Sequence, residues 1–237
     1  MSRRLFFAEF AAADRAVVRG AEARHLAVVL RARPGKEYDL AIAGGKFRAT
    51  VAKATAAAVE FENLRPVEAG AARREVTLLA AIFRFERFEW MVEKATELGV
   101  AAIQPLIAAR TAAPLARAAA ARWARWERLA LAAAQQARRV DAVRVQPPVA
   151  APAAFAGAGS GAARILLTAG GAAPALGELL TAETGRAVVL AVGPEGGWSE
   201  AEERAARDAG FAAASLGPLI LRAETAAIAA LALCELA

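Results

Sequence analysis

From residue 76 to residue 236, apolar runs of strand length alternate with amphipathic helical stretches, and this alternation constrains the fold more than any other feature of the chain. The strand-like runs are Val76 to Phe83, Ala101 to Ile107, Ile165 to Thr168, Ala187 to Val192 and a short one near Ala213. Helical patterns fall between them at Phe85 to Leu98, about Ala118 to Ala137, Leu176 to Leu180 and Glu200 to Ala209, and a closing helix begins at about Thr225. Such a chain builds a mainly parallel sheet covered by helices on both faces, an α/β fold. In the helix over 85–98, Phe85, Phe88, Met91, Ala95 and Leu98 recur at three- and four-residue spacing, and Gly99 stops it. That aromatic stripe reads as core rather than as a ligand box. Residues 150–162 are small and featureless and read as a surface connection.

The first 64 residues have a different texture. Short β-rich runs at Arg4 to Phe10, Tyr38 to Ile42, Phe47 to Val51 and Val59 to Asn63 are interrupted by one helix, Glu22 to Leu30. Pro34-Gly35 closes that helix, and Gly44-Gly45 reads as a hairpin turn. A small, mostly antiparallel β-barrel follows from this pattern. The stretch 65–74 carries Pro, Gly and charge but little to pack, so it reads as a linker between a domain of residues 1–70 and one of residues 71–237.

Charge separates the same parts. Residues 1–74 hold 14 Lys/Arg against 8 Asp/Glu, residues 75–140 hold 10 against 6, and residues 141–237 hold 6 against 10. The basic surface belongs to the first two thirds, where a polyanion is the natural partner, because neutralised phosphates release counterions. The single cysteine, Cys234, excludes an internal disulfide, and one Cys with one His makes no zinc cluster of the usual spacing, so no metal is expected. No apolar stretch approaches the roughly 20 residues that span a bilayer. Glu9 ends the first apolar run too soon for a signal peptide, and the chain is read as cytoplasmic.

Two glycine-bearing turns stand out. Gly193-Pro-Glu-Gly-Gly197 directly follows the apolar run 188–192, and Ser199-Glu-Ala-Glu202 then supplies a capping box for the next helix. Ligands of open α/β sheets bind at such carboxyl strand ends, where glycine lets a ligand approach the backbone closely. The pattern is neither the dinucleotide fingerprint nor a P-loop. The second turn, Leu216-Gly-Pro-Leu-Ile-Leu-Arg-Ala-Glu-Thr225, leads into the closing helix. One cap suffices for that helix, which accounts for Thr225 or Glu224 but leaves Arg222 unexplained by local structure. Two glycine-bearing strand ends and a spare arginine point to one shared pocket.

On these motifs, with Lys94-Ala-Thr-Glu-Leu-Gly-Val100 and with His25-Leu-Ala-Val-Val-Leu-Arg31 followed by Pro34-Gly35, the chain resembles the ribosomal RNA uracil-N3 methyltransferases, the RsmE family of the SPOUT superfamily. The resemblance covers nearly the whole chain. Two departures are Gln135-Gln136, where the family usually has Glu-Gln, and Phe85, where it often has Gly. The resemblance implies a PUA-like RNA-binding first domain, a second domain with a carboxyl-terminal trefoil knot, and a homodimer. It also implies S-adenosyl-L-methionine (SAM) as methyl donor, bound by Leu190, Gly193, Glu195, Gly196, Leu216, Gly217, Leu221 and Arg222. The implied acceptor is N3 of a uridine in 16S ribosomal RNA or the small ribosomal subunit. Arg222 or Arg139 would meet the charge on the uracil oxygens, and Glu195 or Glu224 is the candidate base. Arg3, Arg4, His25, Arg31, Arg84 and Arg87 are the candidate RNA contacts. A ribose 2′-hydroxyl acceptor and a non-catalytic ribosome-binding role stay open as alternatives.

Three other features have plainer readings. His25, the one histidine, sits in the small basic domain and serves packing or RNA contact rather than acid-base chemistry. The run Arg122, Trp123, Arg125, Trp126 and Arg128 mixes basic and aromatic residues as RNA binders do, but a helix with buried tryptophans is the better reading. Cys234 is a small buried residue of the closing helix.

Overall fold

The computed structural model describes residues 5–67, 74–159, 161–170, 173–183, 185 and 187–236. Arg3 and Arg4 lie outside the described residues. Contacts divide the chain into two compact units, Met1–Ala71 with Ala134–Ala142, and Ala72–Ala133 with Val143–Ala237.

The first unit contains β1 (Leu5–Phe7), β2 (Glu9–Ala12), β3 (Arg15–Arg19), α1 (Gly20–Arg24), β4 (Glu37–Ile42), β5 (Gly45–Ala54) and β6 (Ala58–Val67), and α1 runs on as one π-helical turn over His25–Val29. The strands form one sheet in the order β1-β4-β5-β6-β3-β2. All its pairs are antiparallel except β1 with β4. Only Ala8 separates β1 from β2, which stand at opposite ends of that order, so the sheet curls back on itself. Phe6, Leu26, Leu40, Val51 and Phe61 fill the space inside. The hairpin between β4 and β5 turns at Ala43-Gly44 rather than at Gly44-Gly45: Ile42 pairs with Gly45, and both turn residues have positive φ, 48° and 79°. A two-residue turn of this hand matches the twist of the strands, at a cost of about 1 kcal/mol for the alanine. The strand Arg15–Arg19 is an addition to the sequence reading. Its Ala16, Val17 and Val18 are buried between two exposed arginines.

The second unit is the expected α/β structure. β7 (Val76–Ala81), α2 (Phe85–Glu97), β8 (Ala102–Ile107), α3 (Ala113–Gln136), β9 (Arg144–Val145), β10 (Val149–Ala150), α4 (Ala151–Gly157), β11 (Ala163–Leu167), α5 (Leu176–Ala182), β12 (Val188–Val192), α6 (Glu200–Asp208), β13 (Ala212–Ala214) and α7 (Ala223–Leu236) follow in turn, with the last residues of α3 counted in the first unit. The sheet runs β10-β8-β7-β12-β11-β13, with β9 also on β8, and every pair is parallel.

All five residues of β12 are buried, as a central strand of a doubly covered sheet requires. Alternate side chains serve opposite faces. Leu78, Ile165 and Leu190 join Phe88, Met91, Trp126 and Leu231 in one core, while Leu79, Leu166 and Val189 join Phe155, Trp198 and Phe211 in the other. The stripe of α2 is core: Phe88, Met91 and Ala95 have no exposed surface, and Gly99, at φ 94°, ends the helix. Burying side chains as large as Phe88 and Met91 stabilises by roughly 1.5–3 kcal/mol each.

Residues 150–162 do not form the featureless connection that their composition suggests. Ala151 and Phe155 are one helical turn apart in α4 and fully buried against the sheet, and Pro152 sits in the first turn, where it lacks no partner. Trp126 is buried, Trp123 is half-buried with its indole N–H donating to the Val145 carbonyl at 2.8 Å, and Cys234 is buried. Among the described residues no helix is long and apolar enough to cross a membrane, and no three His, Cys, Asp or Glu are grouped to hold a metal ion.

Candidate active site

Four neighbouring strands, β7, β12, β11 and β13, end on the same side of the parallel sheet, and the chain leaving each of them lines one cavity of about 390 Å³. Thr168, Ala169 and Gly170 follow β11, and Gly193, Pro194, Glu195, Gly197 and Trp198 follow β12. Leu216, Gly217, Leu219, Ile220, Leu221 and Arg222 follow β13, while Arg87 comes from the first turn of α2, just after β7.

Local structure explains the shape of these loops. Gly193 faces Trp198 so closely that a Cβ would lie 3.1 Å from the indole. The Trp198 N–H in turn donates to the Leu167 carbonyl at 3.0 Å, tying the β12 loop to the end of β11. Ser199 and Glu202 close the expected capping box at the start of α6. The second oxygen of Glu202 accepts the Ala109 N–H at 2.8 Å, and Arg110 donates to the Gly196 carbonyl at 2.6 Å, so the loop after β8 braces the glycine turn from behind. Gly217 has φ 115°, and the Ser215 hydroxyl bonds both its N–H and its carbonyl at 3.1 Å. Apart from its chain neighbours, no atom of the described residues lies within 4 Å of the place where a Cβ on Gly217 would stand.

Arg87, Glu195 and Arg222 bring charge to the cavity wall, with Glu224 behind Arg87. Arg87 Nη1 lies 3.6 Å from Glu195 Oε1 and 3.5 Å from Glu224 Oε1, so one guanidinium spans two carboxylates. Glu195 is half exposed, whereas Glu224 is buried and its Oε2 has no hydrogen-bond partner. Arg222 is exposed on the cavity wall, and its carbonyl accepts the Ala226 N–H at 2.8 Å. The closing helix begins at Ala223, so Glu224 and Thr225 lie inside its first turn rather than capping it.

Of the residues singled out from sequence, Gly193, Glu195, Leu216, Gly217, Leu221 and Arg222 line the cavity together. Leu190 does not: it is a fully buried core residue of β12, two positions short of the strand end. Gly196 stands in the turn but faces Arg110. Glu224 reaches the group through Arg87, which the sequence reading gave to RNA contact. Arg139 is buried in the first unit and paired with Asp141. Arg84 is exposed just before α2, Arg31 is exposed at φ 51°, and the His25 ring lies 6.5 Å from that of Phe6. Sequence reading missed the third strand end, 168–170, and Trp198. A glycine two residues past the β11 run, at φ 92°, was the available signal.

An all-parallel α/β sheet with a glycine-walled cavity across four adjacent carboxyl strand ends has the architecture of a small-molecule site. Residues 71–235 match the RNA methyltransferase domain. Over 231 residues, 91% of this chain and 84% of the relative, the sequence is 35% identical to ribosomal RNA small subunit methyltransferase E of Mycobacterium bovis. It is 39% identical over 163 residues to the protein of that name from Synechocystis sp., a match that spans only 52% of that relative's length. The crystal structure of ribosomal RNA small subunit methyltransferase E from Neisseria gonorrhoeae bound to S-adenosyl methionine superposes with a TM-score of 0.85, at 32% identity, covering 98% of this chain and 96% of that one. The chain belongs to the ribosomal RNA small subunit methyltransferase E family.

Proposed function

We propose that this chain transfers the methyl group of SAM to N3 of a uridine in 16S ribosomal RNA. The observation that carries the reading is the cavity itself, on whose wall Arg222, Glu195 and Arg87 meet above glycine turns. Its volume falls within the about 300–1,000 Å³ usual for small-molecule sites. The residues present fit SAM. Leu167, Val192, Leu216 and Leu221 offer apolar walls to a purine ring, Gly217 leaves open space beside its backbone, and Glu195 and Arg222 put charge on the cavity wall. Gly193, Glu195, Leu216, Gly217, Leu221 and Arg222 hold the cofactor, with Leu190 and Gly196 supporting the strand and turn beneath.

When bound, SAM supplies an electrophilic methyl group, so the remaining work is orientation and charge handling. Uracil N3 carries a proton and lies on the Watson-Crick edge, so the base must be unpaired to reach the cavity. Glu224 or Glu195 takes the N3 proton, and Arg87 fixes the position of both carboxylates. Negative charge then spreads to the two uracil oxygens, where Arg222 donates. Arg139, on a partner subunit, is the second candidate for that role.

On the same reading the first unit is a PUA-like RNA-binding domain that contributes His25, Arg31 and the arginines at positions 3 and 4, with Arg84 contributed from the second. The second unit is a SPOUT domain with a carboxyl-terminal trefoil knot, working as a homodimer on the small ribosomal subunit or its RNA in the cytoplasm. Leu219 and Ile220, 76% and 86% exposed on the cavity loop, favour a second copy covering them. Calorimetric titration with SAM and mapping of the methylated nucleotide test the reading. Methylation of a ribose 2′-hydroxyl, or no SAM binding, overturns it.

A further inference from the structure

Asp39, on β4 of the first unit, has no exposed surface, yet three cations converge on it. Arg48 Nε donates to one carboxylate oxygen at 2.9 Å, and Arg138 donates to the other at 2.7 Å with Lys46 at 3.9 Å. The register explains the grouping: Asp39 pairs with Arg48 across β4 and β5, Arg48 pairs with Arg65 across β5 and β6, and Lys46 lies two residues along on the same face. One buried charge of −1 therefore sits under three of +1. The Arg48 and Arg138 side chains remain 39% and 36% exposed, and that of Lys46 18%. The neighbouring Arg65 is paired with Glu37, and Glu62 lies across from Thr50.

An approaching ligand meets the cations and not the carboxylate, because the negative charge is beneath them. Burial favours the neutral acid, but the hydrogen bond from Arg48 and the charges of Arg48, Lys46 and Arg138 outweigh it and hold the Asp39 carboxyl below its ordinary range. The carboxylate thus orients the cations before any ligand arrives. Only Nε of the Arg48 fork is spent on Asp39, and the free ends of such a fork match a phosphate's oxygens.

We infer that Arg48, Arg138 and Lys46, preorganised by the buried Asp39, form a seat for one backbone phosphate of a polynucleotide. The inference rests on the RNA-modifying reading above and names a contact outside the residues singled out from sequence. It predicts a position-fixing contact that is indifferent to base identity.

The test is the salt dependence of binding of the full-length chain to a 16S ribosomal RNA fragment, by fluorescence anisotropy. The variants are Arg48→Gln and Asp39→Asn/Arg48→Gln, the second leaving no buried carboxylate short of its partner. Each should reduce the slope of log affinity against log salt by roughly 0.7 to 0.9, the share of one phosphate. Arg48→Lys should keep the slope, and all three should bind SAM as the parent does. If the folded double variant keeps the parental slope while the parent binds RNA, the phosphate seat is refuted and the RNA reading stands. If the parent shows no salt-dependent RNA binding, both fall.

Discussion

The carboxylate of Glu202 accepts the backbone N–H of Ala109 with one oxygen and closes the capping box on Ser199 with the other, joining the loop after β8 to the helix that follows the Gly193–Gly197 turn. Glu202→Ala leaves the Ala109 and Ser199 N–H groups without their acceptor. Losing a cap and stranding a part-buried donor costs roughly 2 to 4 kcal/mol. In a chain of this size that lowers Tm by about 5 to 12 °C, which thermal unfolding measures. SAM affinity should fall with it, since the turn loses its brace.

Gly217→Ala tests the second turn. The new methyl group enters the cavity, and φ 115° strains any side chain placed there. SAM affinity should drop at least tenfold by calorimetry, while Gly157→Ala, with open space and an unstrained backbone outside the cavity, should bind normally. Equal affinity in the two variants removes Gly217 from the cofactor site.

Arg222→Ala separates chemistry from binding. Loss of one preorganised donor to a developing charge slows turnover by about 100- to 1,000-fold. Single-turnover methylation at saturating SAM should show that loss with little change in Tm, because α7 begins at Ala223 whatever side chain precedes it. A normal rate at saturating SAM, with weaker SAM affinity, assigns Arg222 to bracing the loop.

Asp39 gives a pH signature. Its folded pKa lies below the ordinary 3.8, so its ion pairs contribute full stability above about that pH and lose it as the pH falls through the lower folded value. Asp39→Asn should therefore lower Tm at pH 7, and the gap to the parent should narrow as the pH falls below 3.8. Thermal scans from pH 7 down through the acid range check it, and a gap with no dependence on pH assigns the loss to packing instead.

The second unit was legible because parallel strands buried on both faces are nearly all apolar, as β12 is throughout and β7 is but for Thr77, and because the stripe of α2 repeats at helical spacing. The helix α4 was illegible because two buried contacts, Ala151 and Phe155, decide it, and they are scattered among small residues without a polar face to contrast with. At the site, the two glycine turns marked themselves, but Arg87 did not. Its place beside Glu195 and Glu224 follows from β7 lying next to β12 in the sheet, and strand order is not written in the sequence of strands. Leu190, which the resemblance alone pointed to, lies beneath the cavity and not on its wall. It is two positions short of the end of β12 and its side chain joins the core with Leu78 and Ile165.

Trp198 has a consequence of another kind. Its indole forms part of the cavity wall, donates to the Leu167 carbonyl and stacks edge-on to Phe155 at 5.6 Å. A ligand settling against that wall changes the polarity around a fluorophore anchored at both ends, so the molecule carries its own optical gauge of occupancy. With Trp90, Trp123 and Trp126 placed on α2 and α3 rather than on the wall, their emission supplies a steady background against which that one signal moves.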